Sequence, residues 1–278
     1  MASTTIPTVS LHHGASMPAL GLGTYPMDDA ETAAVVERAV EHGYRLFDTA
    51  EKYENERGVG QGVRAAGIDR ADVFITSKFD KQWHSVDGAR QAFEASIERI
   101  GTDYLDLLLI HWPNPQQDGY VDAFRGLLSL LEEGRLRAIG TSNFKPAHLT
   151  RLLDETGEAP DLNQIELSPY TTRAQSRAYA ALHGIVTQSW SPLARAGDLF
   201  GEPAVTQAAV RHGRTPAQVV LRWHLQLGLT VIPKTSNDER LRENAAVFDF
   251  ELDDDEVAAI TDLDRGEAEA TDSDTFGH

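Results

Sequence analysis

Four side chains that can give or hold a proton follow the first three strongly apolar stretches of the sequence. They are Asp48, Tyr53, Lys78 and His111, and the last of them lies in the run DLLLIHWP at residues 106–113. A phenol is a weak acid at neutral pH, but a nearby lysine ammonium stabilises its phenolate and lowers its pKa. Lys78 could act in this way on Tyr53, with Asp48 as counter-ion, while His111 donates a hydrogen bond to a substrate oxygen. Such a group can protonate an oxygen that is becoming an alkoxide, which is what the reduction of a carbonyl requires.

Each of these residues also has an ordinary structural interpretation. Asp48 could cap a helix, Lys78 could be a solvated loop lysine, His111 a hydrogen-bonded core histidine and Tyr53 a surface aromatic. Structural roles alone explain the four residues less well when they are taken together, because they follow three successive apolar stretches. No titratable side chain can supply a hydride, so reduction at such a site also needs a cofactor.

The surrounding segments alternate between short apolar stretches and helical periodicity. Helices are indicated at 30–41, 89–100 and 121–131, the last ending at Gly134 in the manner of a C-cap. Eight strands are predicted, at 44–47, 73–77, 104–110, 136–141, 162–166, 185–190, 229–232 and 247–250. Strands joined by helical crossovers pair in parallel, so the pattern predicts an α/β fold, a closed (β/α)8 TIM barrel whose chemistry lies at the carboxyl ends of its strands.

Two segments depart from this alternation. Residues 8–20 alternate apolar and polar around His13-Gly14, which predicts an N-terminal β-hairpin that closes the bottom of the barrel. Residues 191–228 are too long for one turn and one helix, and we expect two helical segments split by residues 213–216. Because no low-complexity linker or shift in composition divides the chain, residues 1–278 are predicted to form a single domain.

Composition narrows the classes of partner. The chain has 43 acidic and 25 basic residues and a formal charge of −18, which disfavours binding to nucleic acid or to an anionic membrane. The absence of cysteine excludes disulfides, thiolate zinc sites and a cysteine nucleophile. No targeting segment or membrane-length apolar run is recognisable, so we expect a cytoplasmic protein.

Several stretches of the chain, in a consistent order, resemble the aldo-keto reductases, and most of all the short-tailed microbial members grouped with the 2,5-diketo-D-gluconate reductases. The most distinctive are GYRLFDTAEKYENERGVG at 43–60, ITSKF at 75–79, DLLLIHWPNP at 106–115, IGTSNF at 139–144 and IPKTSNDERLREN at 232–244. The resemblance implies a (β/α)8 enzyme that reduces aldehydes and ketones, among them small carbonyls, ketoaldehydes and keto sugars, to alcohols with a nicotinamide cofactor. It also implies a monomer that acts on a small-molecule substrate. The family's catalytic tetrad falls on Asp48, Tyr53, Lys78 and His111, with Tyr53 as proton donor.

The same resemblance implies the residues that hold cofactor and substrate. Ser142, Asn143 and Gln164 fall where the family hydrogen-bonds the nicotinamide carboxamide, and Trp190 falls where an aromatic ring stacks on the nicotinamide. Further cofactor contacts are expected from Gly23, Thr24, Ser191, Leu193, Lys234, Thr235, Ser236, Arg240, Glu243 and Asn244. Because Lys234 and Arg240 would face the adenosine 2′-phosphate, NADPH/NADP+ is predicted over NADH. The substrate pocket is expected to be lined by Tyr25, Asp80, Trp83 and Trp112.

Three other interpretations compete with this one. A GxGxxA pattern at 60–65 has no strand before it, which argues against a Rossmann site. A metallohydrolase is disfavoured and no metal site is expected, because the histidines are scattered and Lys78 would put a cation where the metal should lie. A nicotinamide-binding redox sensor of the same fold, with negligible turnover, stays open as the alternative function.

One position departs from the family pattern and bears on substrate choice. Relatives often carry a tryptophan two positions after the catalytic lysine, whereas this chain has Asp80 there, with Trp83 shortly after it. The acidic residue would favour polar or cationic carbonyls. The chain ends in a short tail, EAEATDSDTFGH, so we expect an open pocket and broad specificity.

Overall fold

The computed structural model describes residues 6–277 and shows a barrel of eight parallel strands preceded by an antiparallel hairpin. The hairpin strands are β1 (Thr8–Ser10) and β2 (Ser16–Pro18). The barrel strands are β3 (Leu22–Gly23), β4 (Leu46–Asp48), β5 (Phe74–Phe79), β6 (Leu105–Ile110), β7 (Leu136–Ser142), β8 (Leu162–Glu166), β9 (Val186–Trp190) and β10 (Thr230–Val231). Each barrel strand from β3 to β10 pairs in parallel with the next along the chain, which is the neighbour order of a (β/α)8 fold.

Ten α-helices lie within the described residues and follow the strands. They are α1 (Asp29–Glu41), α2 (Glu56–Ala65), α3 (Val86–Ile100), α4 (Tyr120–Glu132), α5 (Pro146–Thr156), α6 (Ala174–Leu182), α7 (Pro203–His212), α8 (Pro216–Gln226), α9 (Asp238–Ala245) and α10 (Asp254–Thr261). Across residues 6–277 none of these helices has the length and apolar character needed to cross a membrane.

The first and last barrel strands meet and close the ring. Leu20 bridges Val231 in parallel, and the Gly21 amide donates to the Val231 carbonyl at 2.9 Å. The Val231 amide in turn donates to the Ala19 carbonyl at 3.0 Å. Closure removes the free sheet edges and brings all eight carboxyl ends to one face. The predicted closed barrel is therefore confirmed.

One predicted strand is wrong. Residues 247–250 are not extended into the sheet, and their place in the barrel is taken by β3. The backbone carbonyls of Ala246 and Val247 accept hydrogen bonds from the side chains of Gln218 and Arg222 on α8, so this apolar segment packs on a helix without a strand partner. β3 has only two residues and offered no alternation to recognise. The other seven predicted strands are confirmed within one or two residues.

The N-terminal hairpin closes the bottom of the barrel, as predicted. Its turn runs from Leu11 to Gly14, whose φ of 90° favours glycine. Leu11, Ala15 and Met17 are buried against the side chains at the amino ends of the barrel strands, among them Leu46. The hairpin thus seals the end opposite to the strands' carboxyl ends.

Helix ends in the structure follow the usual capping rules. The side chain of Ser85 caps α3, and Thr215 and Gln218 form a capping box at the start of α8. Gly134 has a φ of 71° just beyond α4, and Gly213 ends α7 with a φ of 60°. The two helical segments expected within residues 191–228 are therefore confirmed as α7 and α8.

Candidate active site

The four residues predicted to act on a proton lie together at the carboxyl ends of the strands. The Lys78 Nζ donates to Asp48 Oδ1 at 2.6 Å, to the Thr49 carbonyl at 2.9 Å and to the Tyr53 hydroxyl at 3.4 Å. Three acceptors match the three protons of an ammonium group, so the geometry favours charged Lys78. The Tyr53 ring stands 5.8 Å from the His111 ring in an edge-to-face arrangement.

Asn55 holds the loop after β4 in place and was not singled out from the sequence. Its Oδ1 accepts from the Thr49 hydroxyl at 2.6 Å, and its Nδ2 donates to the carbonyls of Thr24 and Met27 at 3.2 and 2.8 Å. Asn55 therefore fixes the Thr49 backbone, whose carbonyl accepts from Lys78. The only available signal was an asparagine in a segment that folds into the interior, which is weak on its own.

Burial and charge act in opposite directions on Lys78 and Tyr53. Burial alone would lower the pKa of Lys78, but the Asp48 carboxylate and the Tyr53 hydroxyl raise it above its ordinary value. The Tyr53 side chain keeps partial access to solvent, yet burial of its hydroxyl end raises its pKa, and Lys78 lowers it without overcoming that rise. The sequence predicted a net lowering by Lys78, so the direction in the ligand-free chain differs from that expectation. Tyr53 consequently holds its proton at neutral pH.

His111 faces a carboxylate. Its Nδ1 lies 3.1 Å from Asp80 Oδ1, a close charge contact that is not aligned as a hydrogen bond. Burial lowers the pKa of His111, the Asp80 carboxylate acts against that lowering, and Lys78 adds to it. Burial also tends to raise the pKa of Asp80, but His111 and Lys52 bring it below its ordinary value. Asp80 is thus ionised, and it favours the ring form that carries a proton on Nδ1.

The residues expected around a nicotinamide ring are joined by hydrogen bonds. Asn143, with a φ of 66°, donates through Nδ2 to the His111 carbonyl at 3.0 Å and accepts through Oδ1 from Trp190 Nε1 at 2.9 Å. The Ser142 hydroxyl donates to the Gln164 carbonyl at 3.0 Å. Gln164 Nε2 donates to Asp48 Oδ2 and to Gln188 Oε1, both at 2.7 Å, so a contact with a bound carboxamide falls to the Gln164 oxygen.

Gly23 and Thr24 hold neighbouring strand ends together, a structural role that the sequence did not indicate. A Cβ on Gly23 would lie 2.9 Å from the Ile232 carbonyl oxygen, so glycine is needed for β3 to approach β10. Thr24 is fully buried, and its hydroxyl donates to the Asp48 carbonyl at 2.9 Å. Both residues position the strand ends through the backbone.

A second group of predicted cofactor residues surrounds the start of α9. Lys234 and Arg240 are exposed, Ser236 is half-buried, and Thr235 and Asn244 are buried, with Glu243 half-buried on α9. Across residues 6–277 the side chains of Lys234 and Arg240 make no ion pair. Asn237 caps the helix by accepting from the Arg240 amide at 3.0 Å. Unpaired cations at a helix N-terminus suit a phosphate monoester, so the donor set fits a nicotinamide dinucleotide that carries a 2′-phosphate.

Arg38 adds a third cation to this region. Its Nη2 donates to the Ser236 carbonyl at 3.3 Å, although the two residues are 198 positions apart.

Ser191 and Leu193 lie in the loop after β9, where Ser191 and Ala194 to Ala196 all have positive φ values. Backbone of this kind in four non-glycine residues stores strain that the surrounding loop must hold.

Aromatic side chains line the mouth next to the tetrad. The exposed Tyr25 ring lies 5.0 Å from the Tyr53 ring, and Trp83 Nε1 donates to both carboxylate oxygens of Glu51 at 2.9 and 3.0 Å. The buried Trp112 ring lies 6.2 Å from His111 and 5.0 Å from Phe276 of the C-terminal tail. The short tail therefore reaches the mouth and covers one side of Trp112.

Ion pairs fasten this tail to the barrel. Lys145 Nζ pairs with Asp272 at 2.5 Å and with Asp274 at 2.6 Å, and His148 Nε2 lies 3.0 Å from Asp274. The Thr271 amide donates to Glu166 Oε2 at 2.9 Å. These contacts span the carboxyl ends of β7 and β8, so the tail forms part of the wall of the site.

Comparison with known proteins agrees with this geometry. Residues 17–265 match the model of the aldo/keto reductase family. The chain is 47% identical over 273 residues to the methylglyoxal reductase DkgA of Yersinia pestis, covering 98% of each chain. It is 47% identical to the 2,5-diketo-D-gluconic acid reductase B of a Corynebacterium species over 270 residues, covering 97% of this chain and 98% of that one. A mutant of Gox0644 solved in complex with NADPH is 42% identical, with a TM-score of 0.93 and coverage of 99% and 100%.

Proposed function

Because the chain belongs to the aldo/keto reductase family, we propose that it reduces small aldehydes and ketones to alcohols with NADPH, and that Tyr53 is the proton donor. The observation that carries the assignment of Tyr53 is the Lys78 ammonium, which bonds Asp48, Thr49 and Tyr53 at once. A structural lysine needs a counter-ion, but it has no need of a phenol aimed at an open mouth. The arrangement suits a proton that must leave Tyr53 at one moment of a reaction.

When bound, NADPH supplies a hydride to the carbonyl carbon. The chain supplies the proton: Tyr53, kept protonated by its burial, donates it to the oxygen as negative charge develops there. Lys78 stabilises the phenolate left behind, and Asp48 keeps Lys78 charged. His111 lies beside Tyr53 and orients the same oxygen.

Two groups of residues would hold the cofactor. Asn143, Ser142 and the Gln164 oxygen would bind the carboxamide, while the half-buried Trp190 ring, fixed by Asn143, would stack on the nicotinamide. Lys234 and Arg240 would bind the 2′-phosphate and would thereby favour NADPH over NADH.

Asp80 supports a narrower choice of substrate. One relative is named for methylglyoxal and another for 2,5-diketo-D-gluconic acid. The Asp80 carboxylate lies 3.1 Å from His111, where a carbonyl oxygen must bind, so a substrate that carries its own carboxylate meets a like charge. We therefore expect neutral ketoaldehydes and cationic carbonyls to be reduced in preference to keto sugar acids. Asp80→Trp should remove that preference, and an unchanged substrate profile in the variant would contradict this role.

The test is oxidation of NADPH, followed by its absorbance, with methylglyoxal, glyceraldehyde, a nitrobenzaldehyde and a diketo sugar acid. We expect turnover with NADPH, slower turnover with NADH, and the lowest kcat/KM for the sugar acid. Tight NADPH binding with no turnover on any carbonyl would favour the redox sensor instead. The relatives named above are reductases and give the sensor no support.

The remaining expectations stay predictions. They are a single domain over residues 1–278, a cytoplasmic location, a monomeric state, no binding of nucleic acid and broad specificity. The substrate-pocket roles of Tyr25, Trp83 and Trp112 are proposals that rest on their positions around Tyr53 and His111.

A further inference from the structure

Two histidines occupy the centre of the hairpin turn at the bottom of the barrel. The turn is closed by the Leu11 amide, which donates to Ala15 at 2.8 Å, and by the Gly14 amide, which donates to Leu11 at 3.0 Å. Because Leu11 and Ala15 are buried, the turn is anchored on both sides. His12 is exposed and His13 is half-buried, with their rings 4.9 Å apart and nearly perpendicular.

A buried carboxylate fixes the orientation of His13. Asp161, fully buried before β8, accepts the His13 amide through Oδ1 at 2.8 Å and lies 2.9 Å from His13 Nδ1 through Oδ2. The Ile139 amide donates to the same carboxylate at 2.9 Å, so Asp161 cannot turn away. A carboxylate at Nδ1 places the ring proton there and leaves the Nε2 lone pair pointing outward, which is the arrangement of histidines that bind metals in proteins.

Glu158 completes the cluster from the loop between α5 and β8. Its Oε2 lies 3.9 Å from His13 Nε2, and one ligand atom from each of His12, His13 and Glu158 falls within 4.8 Å of the others. The Glu158 backbone is held in turn by the Thr156 hydroxyl at 3.3 Å. Two of the three groups are thus presented by anchored backbone.

From this geometry we propose that His12, His13 and Glu158 form a binding site for a borderline divalent cation such as Zn2+, with water as the fourth ligand. Imidazole nitrogens with one carboxylate are a ligand set that Zn2+ accepts, at about 2.0 to 2.2 Å from each donor atom. Ligand atoms of a tetrahedral ion are about 3.3 Å apart, so the present spacings of up to 4.8 Å must shorten by up to about 1.5 Å. The exposed side chains of His12 and Glu158 can make this movement by changing rotamer.

The site is separate from the one that binds the carbonyl. The hairpin lies at the amino ends of the strands, whereas Tyr53, Lys78 and His111 lie at the carboxyl ends. A bound ion would join the hairpin turn to the α5–β8 loop, and His13 and Asp161 are 148 positions apart in the chain. We expect the ion to stabilise the closed bottom of the barrel without taking part in reduction. Glu158 is far from the two histidines in the sequence, so the order of residues gave no sign that these three side chains meet.

The test is calorimetric titration of the chelator-treated full chain with Zn2+ at about pH 7.5, together with thermal unfolding. We expect one equivalent to bind, and the Tm to rise by about 5 °C at a Zn2+ concentration about 100 times the Kd. His12→Gln and Glu158→Gln should each weaken binding at least about tenfold, since each removes one of three ligands. Both residues are exposed, so the variants should fold.

A matched control is His183→Gln, which removes a half-buried histidine stacked on Tyr179, away from the cluster, and should bind Zn2+ as the wild type does. Equal Zn2+ affinity in the wild type, His12→Gln and Glu158→Gln would overturn the proposal, as would a failure of the wild type to bind. Because binding is measured directly, neither result depends on whether the chain reduces carbonyls.

Discussion

Replacing Asp80 by asparagine tests how this chain controls His111. In the wild type, Asp80 Oδ1 lies 3.1 Å from His111 Nδ1, with side-chain exposures of 15% and 10%. If Asp80 holds the ring proton on Nδ1, the neutral ring can offer only a lone pair at Nε2. A carbonyl oxygen needs a donor, so His111 must be protonated to orient it. Reduction should therefore become faster as the pH falls toward the range in which His111 is charged.

The expected change in the protonation of His111 can be worked out from its distance to Asp80. The Coulomb attraction of unit charges at this distance is about 5 kcal/mol at an effective dielectric constant of about 20, which is an upper limit. Measured couplings between close charge pairs begin at about 1.5 kcal/mol, and a pair at an open mouth lies toward that lower end. A loss of about 2 kcal/mol corresponds to a fall of about 30-fold in the protonated fraction of His111 at neutral pH. Asp48, Lys78 and Tyr53 also face this ring and are unchanged in the variant.

The assay is the pH profile of kcat/KM for methylglyoxal with saturating NADPH. In Asp80→Asn we expect kcat/KM at pH 7 to fall by about 30-fold. The alkaline limb of the profile, on which His111 loses the required proton, should move to lower pH because the imidazolium has lost its carboxylate. Asp87→Asn removes an exposed carboxylate at the start of α3 and serves as the control for net charge. A profile of Asp80→Asn that coincides with that of the wild type would refute the reasoning.

Two further predictions concern the cofactor and the stability of the fold. Lys234→Met should raise the Kd for NADPH about tenfold and leave that for NADH nearly unchanged, as measured by fluorescence titration, because Lys234 would meet only the extra phosphate; equal losses for the two nucleotides would argue against this. Burial lowers the pKa of His84 from 6.5 to about 4, and both ring nitrogens lack hydrogen bonds. Because the unfolded chain then binds a proton that folded His84 does not, the unfolding free energy falls as the pH drops from about 6.5 to about 4. The loss is about 2 kcal/mol after allowance for partial solvent access. His84→Leu should therefore lose less unfolding free energy over that pH range, as measured by urea titrations. An equal fall in unfolding free energy in the variant and the wild type would contradict this role of His84.

Most of the fold and the core of the site could be predicted from the alternation of strands and helices in the sequence. Seven barrel strands and the positions of Asp48, Lys78 and His111 followed from it, because in a barrel the polar residue after an apolar strand must lie at one rim. β3 was not predicted because two residues are too few to show a strand periodicity. Residues 247–250 were wrongly predicted as a strand because an apolar run that packs on a helix has the same sequence pattern.

Other parts of the site depend on contacts between distant segments. Arg38 reaches Ser236 across 198 positions, and the tail residue Phe276 reaches Trp112. The net pKa of Tyr53 also escaped prediction, because burial outweighs the nearby ammonium and burial depends on the packed structure. Residue types at strand ends could thus be predicted, whereas their partners and their electrostatics could not.

The most direct test of the account is the kinetics of Tyr53→Phe beside Tyr179→Phe, which removes a hydroxyl on α6 that is hydrogen-bonded to Thr150. With methylglyoxal and NADPH, Tyr53→Phe should lower kcat by about 100-fold or more while its Kd for NADPH stays near that of the wild type, as expected for the loss of a positioned acid. Tyr179→Phe should keep its activity. If Tyr53→Phe instead reduces methylglyoxal at the wild-type rate, Tyr53 is not the proton donor and the proposed mechanism is wrong.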